Sequence, residues 1–284
     1  MKSVFMDKIK YNEQMHFNHY GKIQKWWLKT LEDDGSFFRK KILRQTLMIW
    51  DKDIRFIRPE FYRNKIVLDA GCGNLRYASY LKSKGAKLCV GGDITAGFIK
   101  DGFKKKSFYV YDSKVSPSGI KALQLDCEDM PLKRNSFDMV LFFHSIHHIS
   151  GKDKAISDSF DILKKGGHII ISDLNGSHFL RIIADSIGRK MGVMSPDEKA
   201  PRPKETTALL EKSGFEILEV HYMNPFSEIL FHVFNIIGMF SYRLSLVLKT
   251  SFFIINPIES ALEKTISGIL PNMFWRYIII AKKV

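Results

Sequence analysis

VLDAGCGNLRYASYL, residues 67–81, is the stretch that decides the fold. An apolar strand runs into Asp69, a turn carries Gly71 and Gly73, and a helical pattern follows. Glycine lets a backbone approach a ligand where a Cβ would collide, and the helix opening there presents unpaired N–H groups. Twenty residues past Gly73 a second apolar run, LCVGGD, ends at Asp93. That spacing sets a carboxylate where it can accept hydrogen bonds from both hydroxyls of a ribose, so the pair of features predicts a nucleoside-containing cofactor. A dinucleotide fingerprint needs a small residue where Arg76 stands, which counts against a nicotinamide cofactor. Asp69 would repel a pyrophosphate but suits a ligand bearing a positively charged amino group.

Outward from this motif, short apolar runs alternate with helical patterns, the signature of βα units stacked into a parallel sheet. Strands are expected near 65–70, 87–93, 120–126, 137–143 and 167–173, then 215–222 and 275–281, with helices near 75–84, 95–104, 153–164 and 204–213. The fold class is therefore α/β, a Rossmann-like doubly wound seven-stranded sheet ending in an antiparallel strand. Four segments follow: a helical lid over 1–64, a catalytic core over 65–223, a hydrophobic helical insertion over 224–272 and a last core strand over 273–284. Residues 105–119, with a Pro and a Gly, read as a loop insertion.

At this point the chain resembles the class I S-adenosylmethionine-dependent methyltransferases, in particular the small-molecule group that includes the ubiquinone and menaquinone methyltransferases. VLDAGCG looks like the first family motif and GGDIT the second. LQLDCEDMPLKRNSFDMVLFFHSIHHI at 123–149, ILKKGGHIIISD at 162–173 and ALLEKSGFEILEV at 208–220 follow in the family's order. The resemblance implies S-adenosylmethionine as cofactor and methyl transfer to an O, N or C nucleophile. It would set Asp69 and Gly71 at the methionine end, Asp93 at the ribose and Asp126 with the backbone of Cys127 at the adenine edge. Ala70, Gly73, Ile94 and Phe143 complete the expected cofactor-binding set. One departure stands out: Leu75 occupies a position where the family usually has a further glycine.

His144, His147 and His148 follow the fourth strand, on the edge where open α/β sheets bind ligands. A neutral imidazole can take a proton from a hydroxyl near pH 7, so His144 or His147 is a candidate general base, with His144 favoured because it comes first. No nearby Cys or second ligand set completes a zinc pattern, and no metal is expected. His16, His19, Tyr11 and Tyr20 are candidates for lining an acceptor pocket from the lid.

The insertion is the second departure from the family. Ten of the fifteen residues from Phe226 to Phe240 are apolar, which makes a helix with a very broad greasy face. Either a helical hairpin buried against the domain or a homodimer partner, or an apolar acceptor site or anionic membrane surface, would account for it. The net charge is +14, and residues 1–65 carry half of that excess, 15 Lys/Arg against 8 Asp/Glu. Such a surface attracts anionic lipid or nucleic acid. The absence of a recognisable RNA-binding segment argues against the latter but leaves a tRNA or other nucleic-acid methyltransferase as an alternative, beside a non-catalytic partner protein that keeps the fold. Three cysteines without a CxxC pair suggest a reducing, cytoplasmic setting, and the longest uncharged stretch, 229–242, is shorter than the ~20 residues that span a bilayer. The acceptor that fits best is small and hydrophobic: a quinone, polyketide or lipid-linked intermediate.

Overall fold

The computed structural model describes residues 37–190, 194 and 198–284, and its centre is one seven-stranded sheet. β1 (Ile66–Ala70) and β2 (Leu88–Asp93) are parallel neighbours. A small antiparallel hairpin, β3 (Phe108–Val110) and β4 (Ser113–Val115), stands apart from the sheet. β5 (Lys121–Gln124) extends one side beyond β2, while β6 (Phe137–Phe143) and β7 (Leu163–Leu174) extend the other beyond β1. β9 (Arg276–Lys283) then inserts antiparallel between β7 and β8 (Phe215–Met223), giving the order β5-β2-β1-β6-β7-β9-β8. The seven expected strands are all present, with the expected antiparallel end.

The strands are apolar on both faces because both faces are covered. Met139 to Phe143 and Tyr277 to Ala281 are continuous buried runs, as expected of strands enclosed by helices. One core holds Phe61 and Tyr62 of α2 (Pro59–Tyr62) and Ala78 and Leu81 of α3 (Arg76–Ser83). It also takes Ile99 of α4 (Ala96–Lys104). The opposite core holds Ile156 and Ile162 of α5 (Lys152–Ile162) and, further along the chain, Leu210 of α7 (Pro203–Lys212). The chain winds outward from β1 in one direction and then in the other, so the strand order reverses between β1 and β6, where such sheets leave a crevice at their carboxyl ends.

Three differences from the expected elements have physical reasons. Residues 105–119 form the β3–β4 hairpin rather than a plain loop, because Phe108 pairs with Val115 and both bury their side chains in the first core. A helix not foreseen, α6 (Arg181–Lys190), follows β7 and precedes α7. The insertion has three helices, not a pair: α8 (Ser227–Phe240), α9 (Tyr242–Lys249) and α10 (Phe252–Thr265). Ser241 separates the first two and accepts a hydrogen bond from the Leu244 N–H at 3.4 Å, ending one helix and capping the next.

Of the lid, α1 (Phe37–Trp50) and the 3₁₀ turn Lys52–Phe56 are described. Ile49 of α1 is buried with Phe231, Phe234 and Phe252 of the insertion, so lid and insertion share a small core of their own. The residues proposed to line a pocket from the far lid, Tyr11, His16, His19 and Tyr20, lie outside the described residues. Among the described residues no helix is long and apolar enough to cross a membrane.

Candidate active site

Strand β1 ends into a turn shaped for close approach. Gly71 sits at φ +75° and donates its N–H to Gly92 O at 2.8 Å; a Cβ there would lie 2.4 Å from Ser145 Cβ. Gly73, at φ +50°, has open space where its Cβ would be, and its N–H donates to Asp93 Oδ2 at 2.8 Å. Asp93 Oδ1 accepts from Thr95 N–H at 2.8 Å, so this carboxylate ties the β1 and β2 turns together. Two oxygens offer about four acceptor sites, of which two are taken; the rest can meet ribose hydroxyls. Burial raises the Asp93 carboxyl against the pull of those two N–H groups. The clear space over Gly73 and this spare capacity fit a nucleoside cofactor.

The other predicted cofactor residues gather at the same edge. Ala70 O accepts from the Ser145 hydroxyl at 2.9 Å, and Ile94 O accepts from Gln124 Nε2 at 2.9 Å. Asp126 Oδ1 accepts from Glu128 N–H at 2.9 Å. Burial pushes the neighbouring Cys127 thiol up, and the charges of Asp93, Asp126 and Asp69 add to the push, which sets the three acids and the thiol in one locality. Phe143, at the end of β6, meets Tyr77 edge to face at 4.9 Å. Asp69 is buried, and its Oδ2 accepts from Ala78 N–H at 3.1 Å, pinning the first turn of α3 to β1. Burial lifts its carboxyl to about 7, with Asp93 adding to the lift.

Leu75 adopts the left-handed backbone, φ +69°, that the usual glycine would supply. Its side chain is fully buried, and a Cβ on Gly91 would lie 2.6 Å from Leu75 Cδ2. Gly91 of β2 therefore makes room for Leu75.

The carboxyl ends of β6 and β7 carry the histidines. His144, itself at φ +53°, lies parallel to Trp50 at 5.7 Å on one side and to Tyr77 at 5.8 Å on the other. Its Nε2 is 2.7 Å from Asp53 Oδ2 and 2.7 Å from Arg276 Nη1, and Arg276 also contacts Nδ1. Burial opposes the Asp53 charge, but His144 and Arg276 hold its carboxyl below the ordinary range. Arg276 in turn is gripped by Glu228 of α8 at 2.5 and 2.6 Å. Both nitrogens of His144 are thus committed to a buried ionic cluster.

His147 differs. Its Nδ1 meets Asp173 Oδ1 at 2.6 Å, while Nε2 faces Glu198 at 3.5 Å. Burial would lower its pKa, yet Asp173 and Glu198 outweigh burial and raise it; Asp173 itself, despite burial, is held down to about 2 by His147. His147, His148 and Glu198 bring three ligand-type atoms within 4.8 Å of one another. The sequence reading missed Asp53, Asp173, Glu198 and Arg276. Asp173 had a usable signal, since ISD closes β7 as VLD and GGD close β1 and β2; Asp53 and Glu198 arrive from distant loops with none.

Fold and edge together define a class I, Rossmann-like methyltransferase architecture. Residues 68–171 match the methyltransferase domain family. The ubiquinone/menaquinone biosynthesis C-methyltransferase of Methylococcus capsulatus is 25% identical over 54% of this chain and 66% of its own length. The tRNA U34 carboxymethyltransferase of Tolumonas auensis is 27% identical over 59% of this chain and 48% of its own. A methyltransferase crystal structure from Thermotoga maritima superposes with a TM-score of 0.57 at 16% identity, covering 96% of this chain and 99% of that one. The chain spans 48% to 66% of the length of these curated relatives.

Proposed function

We propose that this chain transfers a methyl group from S-adenosylmethionine to a small, hydrophobic acceptor nucleophile. The observation that carries the reading is the Gly71–Gly73 turn clamped by Asp93, with the Asp173–His147 pair on the same edge of the sheet. Asp93 would hold the ribose, Asp126 and Cys127 the adenine edge, and Asp69 the amino group. Bound there, S-adenosylmethionine supplies an electrophilic methyl on its sulfonium. The protein's share is to hold the acceptor in line and exclude water, which can lower a barrier by ~7–11 kcal/mol.

His147 is the better base. Asp173 fixes its Nδ1–H, so in the neutral ring Nε2 carries the lone pair, with Glu198 3.5 Å away, whereas His144 has Asp53 and Arg276 within 2.7 Å on its nitrogens. The acceptor's apolar character is supported by the insertion, which leaves Phe240, Val247 and Ile254 exposed around the lid.

Calorimetry with S-adenosylmethionine tests the reading. Asp93→Ala should weaken binding by about 1.5–3 kcal/mol, the scale of hydrogen bonds to a charged group. His147→Ala should keep cofactor affinity and lose ~10²–10⁴ in turnover. No binding by the wild-type chain sinks the proposal in favour of a non-catalytic partner. The basic surface and the similarity to a tRNA-modifying enzyme support a second reading, a nucleic-acid acceptor, which would show binding that falls steeply with log salt.

A further inference from the structure

Just past the end of β7, three buried side chains that carry hydrogen-bond donors come together, and each keeps one N–H without a partner among the described residues. His178, Arg181 and Trp275 are each more than nine-tenths buried. The His178 ring stands edge-on to Trp275 with centroids 4.9 Å apart, and the Arg181 guanidinium lies 4.8 Å over the same indole. Among the described residues, Nε2 of His178, Nη1 of Arg181 and Nε1 of Trp275 make no hydrogen bond of ordinary geometry. Buried donors are ordinarily paired, so three in mutual contact need an explanation.

Their other atoms fix what is left over. His178 Nδ1 accepts from Leu180 N–H at 3.2 Å, which puts the proton of the neutral ring on Nε2. Burial and the nearby Arg181 charge lower the ring's pKa, against the pull of the Met273 carbonyl that the ring N–H faces. Arg181 pairs through Nε with Asp185, and its Nη2 faces the Met194 sulfur at 3.9 Å. Guanidinium and indole can only donate. The trio is also held rigidly: Asn175 N–H donates to Trp275 O at 2.8 Å, and Asn175 Nδ2 donates to Phe274 O at 2.9 Å. It adjoins the site already described, since Trp275 precedes Arg276, the partner of His144.

We propose that His178, Arg181 and Trp275 bind an oxyanion, a carboxylate or a phosphate, carried by the acceptor. Three donor groups, one of them charged, match oxygen lone pairs, although the Asp185 carboxylate on Arg181 and the Met273 carbonyl facing His178 stand beside them. Phe179, Ile182 and Ile183 stand exposed beside the trio and suit an apolar body attached to that anionic group. Calling the ligand the acceptor rests on the methyl-transfer reading; the binding itself does not.

The test is calorimetric titration of the full chain with octanoate and with octyl phosphate, using octanol and inorganic phosphate as comparisons. One of the two anions should bind at least tenfold more tightly than octanol, and which one it is distinguishes a carboxylate from a phosphate ligand. Arg181→Gln should weaken that binding tenfold or more. Trp275→Phe, which keeps the ring and removes the N–H, should weaken it several-fold. Both variants should bind S-adenosylhomocysteine as the wild type does, which checks the fold. Octanol binding as tightly as both anions, no anion binding at all, or unchanged anion affinity in Trp275→Phe would overturn the proposal. Loss of S-adenosylmethionine binding by the wild type would instead defeat the methyl-transfer reading and leave the anion titration standing.

Discussion

Leu75 and Gly91 are a matched pair across the β1 turn. The left-handed backbone at Leu75 costs roughly 1–2 kcal/mol, and burial of the side chain offsets it only while Gly91 lacks a Cβ. Gly91→Ala should destabilise the chain by about 1–3 kcal/mol through overpacking, and Leu75→Gly by a similar amount through the cavity it leaves. The double variant should lose less than the sum; chemical denaturation of all four proteins measures the coupling, and simple additivity would break the pairing. Asp69 makes a second prediction at this scale. Its folded pKa, about 7, lies above the ordinary 3.8, so the stability linked to its protonation is present below pH 4 and is lost as pH rises through 7. Melting of the free protein from pH 5 to 8 should show that loss, and Asp69→Asn should flatten it. A cationic ligand group beside Asp69 favours the carboxylate, so S-adenosylmethionine affinity should climb several-fold over the same window. Much of this residue chemistry was legible: Asp93 closes β2 and clamps Gly73 as the spacing implied. The ionic partners of His144 were not legible, because Asp53 and Arg276 lie 91 and 132 positions away and no local pattern announces them.

The elements foretold by periodicity are those whose burial is decided by their own alternation or continuity, hence the close agreement over β1, β2, β6, β8 and β9. Those misjudged depend on partners far along the chain. The insertion was legible as greasy helices, but its seat on the lid was not, since beside the Ile49 core the contact is made through buried charges from distant positions. Lys52 reaches Glu263 of α10 at 2.5 Å, Arg55 pairs with the same carboxylate, and Asn224 N–H donates to it at 2.9 Å. Glu259 accepts from Phe226 and Ser227 N–H groups at 2.7 and 2.5 Å, capping the start of α8. Removing one partner from such a buried set leaves the others uncompensated. Glu263→Gln should cost about 3 kcal/mol in urea unfolding, and adding Lys52→Met should recover part of it. An unchanged midpoint would mean that lid and insertion are joined by Ile49, Phe231 and Phe252 alone.

For the molecule as a whole, a +14 chain exposing Phe240, Val247, Ile254, Ile258 and Ile269 is suited to resting on an anionic bilayer. Flotation with anionic liposomes should carry the protein, and Phe240→Asp with Ile254→Asp should leave it at the bottom of the gradient without altering its melting temperature. Equal flotation of wild type and variant would reserve those side chains for another use. The position of β9 has a different bearing, on how the chain comes into being. The strand at 276–283 is an interior one, and β8, made some fifty residues earlier, has it as its sheet neighbour. During synthesis β8 must wait unpaired, as must Glu228, whose guanidinium partner is residue 276. Pairing of β9 therefore completes the β8 side of the sheet and the His144–Arg276–Glu228 cluster in one step, after the residues of the Gly73–Asp93 clamp have already been made.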